Sequence, residues 1–390
     1  MNTRKTVRPV AAQRSAISPF IVMDMLRAAN ERAASGKDVL HLEVGQPGLG
    51  APQSVLDTVK DVLQRERLGY TEALGLSQLR ARIARHYGDS YGLDIAPERI
   101  VVTTGASGGL ILAVLVLFNE GAKVGVTEPG YPAYRNILSA LGNRPVAIEL
   151  HSQTGFRLTC DVVETAIRRH NLAGLIIASP ANPTGSMIES AELAAIATLC
   201  AERGVWLISD EIYHGLSYEK KSETALRAND DAIIVNSFSK YFRLTGWRVG
   251  WIVVPPELAR PVERLVQNLF ISAPSISQFA ALAAFEARQD LESRVALYRR
   301  NRDFLLNELP KAGIGNFAPA DGAFYLYADV SALTDDSVSY CRTLLNETGV
   351  AVTPGVDFDP TRGHHFLRIS YAGEHADIAE AARRLSLRKI

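Results

Sequence analysis

From about residue 100 onward, short runs rich in β-branched residues alternate with longer amphipathic segments, and no other feature of this chain restricts its fold so strongly. Strands that recur in this rhythm are joined through helical crossovers, so the expected fold class is α/β, a mostly parallel sheet covered by helices. The runs are 100–104, 124–127, 174–178, 206–209, 233–236 and 249–254. Between them, residues 189–203 read as a helix that follows the turn signal Asn182-Pro183-Thr184-Gly185. The most apolar stretch, 110–118, is too short to span a bilayer and is expected as a buried helix.

Past about residue 285 the pattern changes to a long charged helix followed by strand-like pieces at 323–328 and 366–370, a smaller α+β lobe. The chain, with 390 residues and 47% hydrophobic content, can fill two such lobes. The expected division is 1–44 as an arm and helix packed on the small lobe or on a partner subunit, 45–285 as the large domain and 286–390 as the small domain. The 42 basic and 42 acidic residues cancel without long runs of either sign. No nucleic acid and no membrane surface is therefore expected as a partner, and a small-molecule substrate is. Cys160, Cys200 and Cys341 are far apart and lack neighbours at metal-ligand spacing, which suits a reducing cytoplasm without zinc or disulfides. Residues 1–14 are basic, but no apolar core with a cleavage site follows at once, so no signal peptide is expected.

In an open parallel sheet, ligands sit beyond the carboxyl ends of the strands, where loops converge and helices begin. The unusual residues of this chain fall there. The first strand runs into Gly105-Ala106-Ser107-Gly108-Gly109, whose free backbone N–H groups at a helix start suit a phosphate. The second runs into Glu128-Pro129-Gly130-Tyr131-Pro132, a stiff loop that presents an aromatic ring. The third ends in Ser179-Pro180-Ala181-Asn182-Pro183-Thr184-Gly185, which fixes Asn182 at the strand tip and is expected to hold a cis X-Pro bond. The fourth delivers Asp210-Glu211-Ile212-Tyr213, where a carboxylate at the end of a buried strand needs a cationic partner. The fifth delivers Ser237-Phe238-Ser239-Lys240, with Arg248 eight residues on. A lysine so placed can lose its proton and form an imine, while Ser237 and Arg248 suit a phosphate dianion. Each residue also has a blander reading: Ser107 or Asp210 as a helix cap, Tyr131 as packing, Lys240 as solvated surface. Five successive strand tips that carry such residues point instead to a site.

On these motifs the chain resembles the class I, fold-type I aminotransferases from about residue 40 to its end. The resemblance is carried by Tyr70-Thr71 with Gly75 and Leu79-Arg80, by SPANPTG at 179–185, DEIY at 210–213, SFSK at 237–240, GWRVG at 246–250 and FLRISYA at 366–372. It implies the PLP-dependent transferase fold, with a seven-stranded sheet in the large domain, and pyridoxal 5′-phosphate (PLP) as cofactor. Lys240 would hold PLP as a Schiff base and shuttle the substrate proton, Asp210 would pair with the ring nitrogen, and Asn182 and Tyr213 would bond the ring hydroxyl. Tyr131 would stack on the ring. Ala106, Ser107, Ser237 and Arg248 would hold the phosphate, with Tyr70 reaching across from a second subunit of a homodimer. Arg368 would bind the substrate α-carboxylate, assisted by Asn182 and the backbone at Gly45. One departure is Arg243, three residues after the lysine, where the family usually has a small side chain.

The reaction so implied moves an amino group from an amino acid to a 2-oxo acid by a ping-pong cycle. A C–S lyase or related synthase on the same fold is the nearest rival. A non-catalytic ligand-sensing domain is a further one, though such proteins place a DNA-binding module ahead of this fold and the N-terminal segment here is short. Aspartate-preferring members usually place a lysine where this chain has Ser107. A neutral donor, apolar or aromatic, is therefore expected, with Arg243 or a residue of the other subunit as the only means of reading a distal carboxylate.

Overall fold

The computed structural model describes residues 10–388, so part of the expected N-terminal arm lies outside the described residues. After the short strand β1 (Leu40–His41) come the seven strands of the large sheet: β2 (Ile100–Thr103), β3 (Lys123–Glu128), β4 (Arg144–Glu149), β5 (Gly174–Ala178), β6 (Trp206–Asp210), β7 (Ile233–Ser237) and β8 (Gly250–Val253). Their order is β2-β8-β7-β6-β5-β3-β4, and β8 alone runs against its neighbours. The sheet is thus mostly parallel, as expected. The strand not foreseen is β4, an edge strand with little buried surface and hence no continuous apolar run.

The central strands β5, β6 and β7 are buried almost throughout, because helices cover both faces. One face packs on the helix Gly105–Leu117, which covers the expected apolar stretch. The other packs on the helices Gln53–Arg65, Ser77–Tyr91 and Ser190–Arg203. Parallel direction brings the carboxyl ends of β2, β3, β5, β6 and β7 to one edge, so the five motif loops converge.

The C-terminal lobe begins with the helix Arg288–Glu308 and holds β9 (Asn316–Phe317), β10 (Tyr325–Asp329), β11 (Val350–Ala351), β12 (Thr353–Pro354) and β13 (Phe366–Ser370). The strand expected from 323 starts two residues late because Ala323 takes a positive φ of 57°. β9, β10, β13 and β12 form one antiparallel sheet, while β1 pairs with β11. The helix Ile21–Ala34 packs on this lobe through Met25 and Ala29.

Candidate active site

The converging loops enclose a cavity of about 200 Å³, and ten of the residues singled out from sequence line it: Gly45, Ala106, Ser107, Tyr131, Asn182, Asp210, Tyr213, Lys240, Arg248 and Arg368. At one end is the start of the helix Gly105–Leu117. Gly105 has φ 76° and is crowded by Arg248: a Cβ there would lie 2.5 Å from the guanidinium, so both conditions require glycine. Ser107 sits inside the first turn, and Thr104 takes the cap position, so Ser107 is not the cap. Free backbone N–H groups and a guanidinium thus meet at one point, an arrangement that favours an anion. Among the described residues Arg248 donates only to the Thr245 carbonyl at 2.9 Å and to Ser239 Oγ at 3.4 Å.

Asn182 stands at the tip of β5, separated from β2 by three strands of the sheet. The Ser179-Pro180 and Asn182-Pro183 bonds of its loop are both cis. Asn182 Oδ1 accepts from Arg368 Nη1 at 3.0 Å. Arg368 also donates to the Glu43 carbonyl at 2.6 Å and to Thr353 Oγ1 at 3.4 Å, and its guanidinium lies over Tyr325 and Phe358. It is buried, its Nε has no partner, and it forms no ion pair among the described residues. A buried guanidinium without a counter-ion calls for a carboxylate ligand.

Between these cations lies Asp210. Its Oδ2 accepts from Tyr134 at 2.7 Å and its Oδ1 from the Ile212 N–H at 3.1 Å. Burial nevertheless pushes its pKa up to about 6, outweighing these two hydrogen bonds and the field of Lys240, and no cation pairs with it directly among the described residues. The next residue, Glu211, points to the other side of the sheet and is held by Ser209, Thr224 and the Ala225 N–H. Lys240 Nζ donates to the Gly45 carbonyl at 2.5 Å. Burial, followed by the positive fields of Arg368 and Arg248, lowers its pKa to about 7 against the opposing pull of Asp210. A sizeable neutral fraction near pH 7 makes it nucleophilic.

This donor set fits PLP. The backbone cradle with Arg248 matches a phosphate, Asp210, which has no ion-pair partner among the described residues, a protonated ring nitrogen, and the lysine of lowered pKa an aldehyde.

Two expected residues lie elsewhere. Ser237 does not line the cavity, because the chain turns at the end of β7 and its hydroxyl is spent on that turn, accepting from the Ser239 N–H at 3.1 Å and donating to the Val249 carbonyl at 3.1 Å. Ser239 lines the cavity in its place. Tyr70 is 84% exposed on the loop before the helix Ser77–Tyr91 and does not reach this chain's cavity. Gly45 offers its carbonyl to Lys240, and it is the Glu43 carbonyl that touches Arg368. Arg243 is buried with φ 59°, the region where a small residue is most comfortable. Its guanidinium binds the Gly50 carbonyl at 2.6 and 2.9 Å and Asp290 at 3.0 Å. It joins the lysine loop to the start of Arg288–Glu308 and is not free to read a substrate.

Tyr134 and Tyr325 were not foreseen. Tyr134 falls one helical turn after Tyr131 and so could have been found by spacing. Tyr325, whose hydroxyl meets that of Tyr213 at 2.8 Å, comes from the other lobe and had no local signal. The apolar wall made by Phe20, Val22, Met23, Leu110 and Ile212 was likewise unread.

Residues 37–385 match the family model described as aminotransferase class I and II. The chain is 47% identical to the valine–pyruvate aminotransferase of Mycobacterium tuberculosis over 378 residues, covering 96% of this chain and 97% of that one. It is 30% identical to an aspartate aminotransferase of Sulfurisphaera tokodaii, covering 94% of each. An aminotransferase crystal structure from Mycobacterium tuberculosis superposes with a TM-score of 0.95 at 46% identity, over 97% of this chain and 98% of that one.

Proposed function

The chain belongs to the class I and II aminotransferases, and from that premise we propose how its own residues divide the work and which donor they select. It is a PLP-dependent enzyme that transfers an amino group from an amino acid to a 2-oxo acid. The observation that carries the assignment of roles is the buried Arg368, without a counter-ion among the described residues, in one cavity with Arg248, Lys240 and Asp210. The chemistry that PLP supplies when bound is an electron sink for the charge left at Cα. Arg248, with the N–H groups at Ala106 and Ser107, holds the phosphate, and Ser239 is added to that set. Asp210 keeps the ring nitrogen protonated, and Tyr134 keeps Asp210 in place. Arg368 and Asn182 fix the α-carboxylate, which orients the Cα–H bond. Lys240 carries the cofactor and moves the proton at Nζ. Tyr213 and Asn182 bond the ring hydroxyl, and Tyr131 covers the ring.

For the donor we propose a neutral apolar amino acid, valine first, with pyruvate as acceptor. The cations that line the cavity are Lys240, Arg248 and Arg368, and each already has a task. Ser107 carries no charge, Arg243 is tied to Asp290, and the wall at Phe20, Val22, Met23, Leu110 and Ile212 is apolar. The name of the Mycobacterium tuberculosis relative agrees. A distal carboxylate would forgo a charge-assisted contact of about 1.5 to 3 kcal/mol, on the order of tenfold to a hundredfold in specificity. Specificity constants for valine, leucine, alanine, phenylalanine and aspartate with pyruvate should place aspartate last. Aspartate ahead by tenfold would overturn the assignment.

We also propose a cytoplasmic homodimer. Exposed Leu68, Tyr70, Leu269 and Ile271 flank Ala73, Leu74 and Phe270, which pack on a single cluster, so their apolar surface is continuous with the core beneath. Tyr70 would complete the neighbour's phosphate site. Sedimentation equilibrium should return a dimer, and a fully active monomer would refute the shared site. The three cysteines are free, and among the described residues no helix is long and apolar enough to cross a membrane. A membrane or extracellular pool on cell fractionation would contradict the cytoplasmic placement. We retain 45–285 as the large domain and 286–390 as the small one, with the helix Ile21–Ala34 packed on the latter, on the strength of the separate sheets.

A further inference from the structure

The helix Ile21–Ala34 begins without a cap of its own, since Phe20 at the cap position has no side-chain oxygen. The cap comes from the far end of the chain. The Ile21 N–H donates to Asp357 Oδ1 at 3.1 Å and the Val22 N–H to Asp357 Oδ2 at 3.1 Å. Asp357 is only 1% exposed, so this carboxylate is committed to the helix end, where its charge also suits the dipole.

The first turn so held is the turn that enters the active site. Phe20, Val22 and Met23 line the cavity, and the Phe20 ring meets Tyr131 edge-on at 5.8 Å. Asp357 also touches the other walls. Its carbonyl accepts from Arg135 Nη2 at 2.5 Å, and Arg135 lies on the helix Pro132–Ala140 that starts beside Tyr131. The next residue, Phe358, lies 4.7 Å under the Arg368 guanidinium. The rest of the helix is docked independently: Met25 and Ala29 are buried, and Arg32 binds the Asn346 and Asp38 carbonyls. Loss of the Asp357 contact therefore frees the first turn without undocking the helix.

We propose that Asp357 is a positioning residue for donor specificity: it sets the distance between the apolar wall at Phe20–Met23 and the Arg368 end of the site. This rests on the reading that Arg368 takes the α-carboxylate and the apolar wall takes the donor side chain. On that reading the wall meets the donor side chain and touches no reacting atom, so its displacement weakens large apolar donors more than alanine, and in KM more than in kcat.

The test uses the PLP-loaded full chain with pyruvate as acceptor. Asp357→Ala should raise KM for valine and leucine by roughly two- to thirtyfold, the range that loss of a helix cap spans. The KM for alanine, kcat and the cofactor absorbance should stay within about twofold of wild type. Asp357→Asn keeps one acceptor and should fall between. Ile21→Pro removes one donor at a position where proline suits a helix, after a residue already extended, and should shift KM in the same direction even if the Asp357 variants fold poorly. Amide exchange at Val22 and Met23 should quicken in every variant. An equal rise for alanine and valine, or no rise in Asp357→Asn and Ile21→Pro, would overturn the proposal. Preference for aspartate in the wild type would instead sink the donor reading, and the two failures are read from different proteins.

Discussion

Lys240→Ala should abolish transamination, a loss on the order of ten-thousandfold or more, because in the proposed assignment one amine both carries the cofactor and handles the substrate proton. The structure supplies the reason that no neighbour can substitute. Among the described residues Lys240 is the only lysine that lines the cavity, and the other cations there are guanidinium groups that remain charged. Its pKa is lowered to about 7, chiefly by burial and then by Arg368 and Arg248. An arginine or a solvated lysine would stay protonated and inert at the same pH. The mutant should still retain PLP through Asp210, Arg248 and the helix start, but the absorbance band of the lysine-bound cofactor should vanish. Dialysis followed by cofactor assay, beside turnover with valine and pyruvate, separates the two effects. A variant that keeps both band and turnover would show that another residue does this work.

Asp210→Asn has the second largest expected effect, on the order of a hundredfold to a thousandfold on Cα proton removal, comparable to the loss of a preorganised electrostatic contact. Asparagine has nearly the same volume and still offers an oxygen to the Ile212 N–H, so the loop after β6 should hold. What disappears is the negative charge. Burial already pushes Asp210 up to about 6 in the chain alone, against the lowering by the Tyr134 hydroxyl and the Ile212 N–H. Asp210 would be held in its ionised form beside a protonated ring nitrogen, because opposite charges attract strongly in a medium of low dielectric. A neutral asparagine cannot keep that nitrogen protonated, so the ring draws charge from Cα less well. Exchange of the donor Cα proton with deuterated solvent measures this step directly. Near-normal exchange would mean that Asp210 merely braces the turn at 211–213.

Local chemistry made most of the site legible. Asn182, Asp210, Lys240 and Arg248 each follow a short apolar run, and the parallel direction of those runs obliges their carboxyl ends to meet. Ser237 and Ser239 show where such reading stops. Both precede Lys240 in one motif, yet the turn after β7 consumes the Ser237 hydroxyl and leaves Ser239 to face the cavity. Ser237 ends β7 while Ser239 lies in the turn beyond it, so strand periodicity does not carry from one to the other. Arg243 is a similar case. Its charge suggested a role toward substrate, whereas Asp290 and the Gly50 carbonyl, distant in sequence, hold it in place.

Residue periodicity and contacts between a strand tip and its own loop were enough for the α/β class, the strand-tip motifs and the family. Tertiary structure alone decided the apolar wall of Phe20, Val22 and Met23, the Tyr213–Tyr325 pair, and the cap that Asp357 lends to a helix more than 330 residues earlier. Those features join segments whose separation no local pattern encodes. They form only when burial of the two lobes against each other brings the segments together.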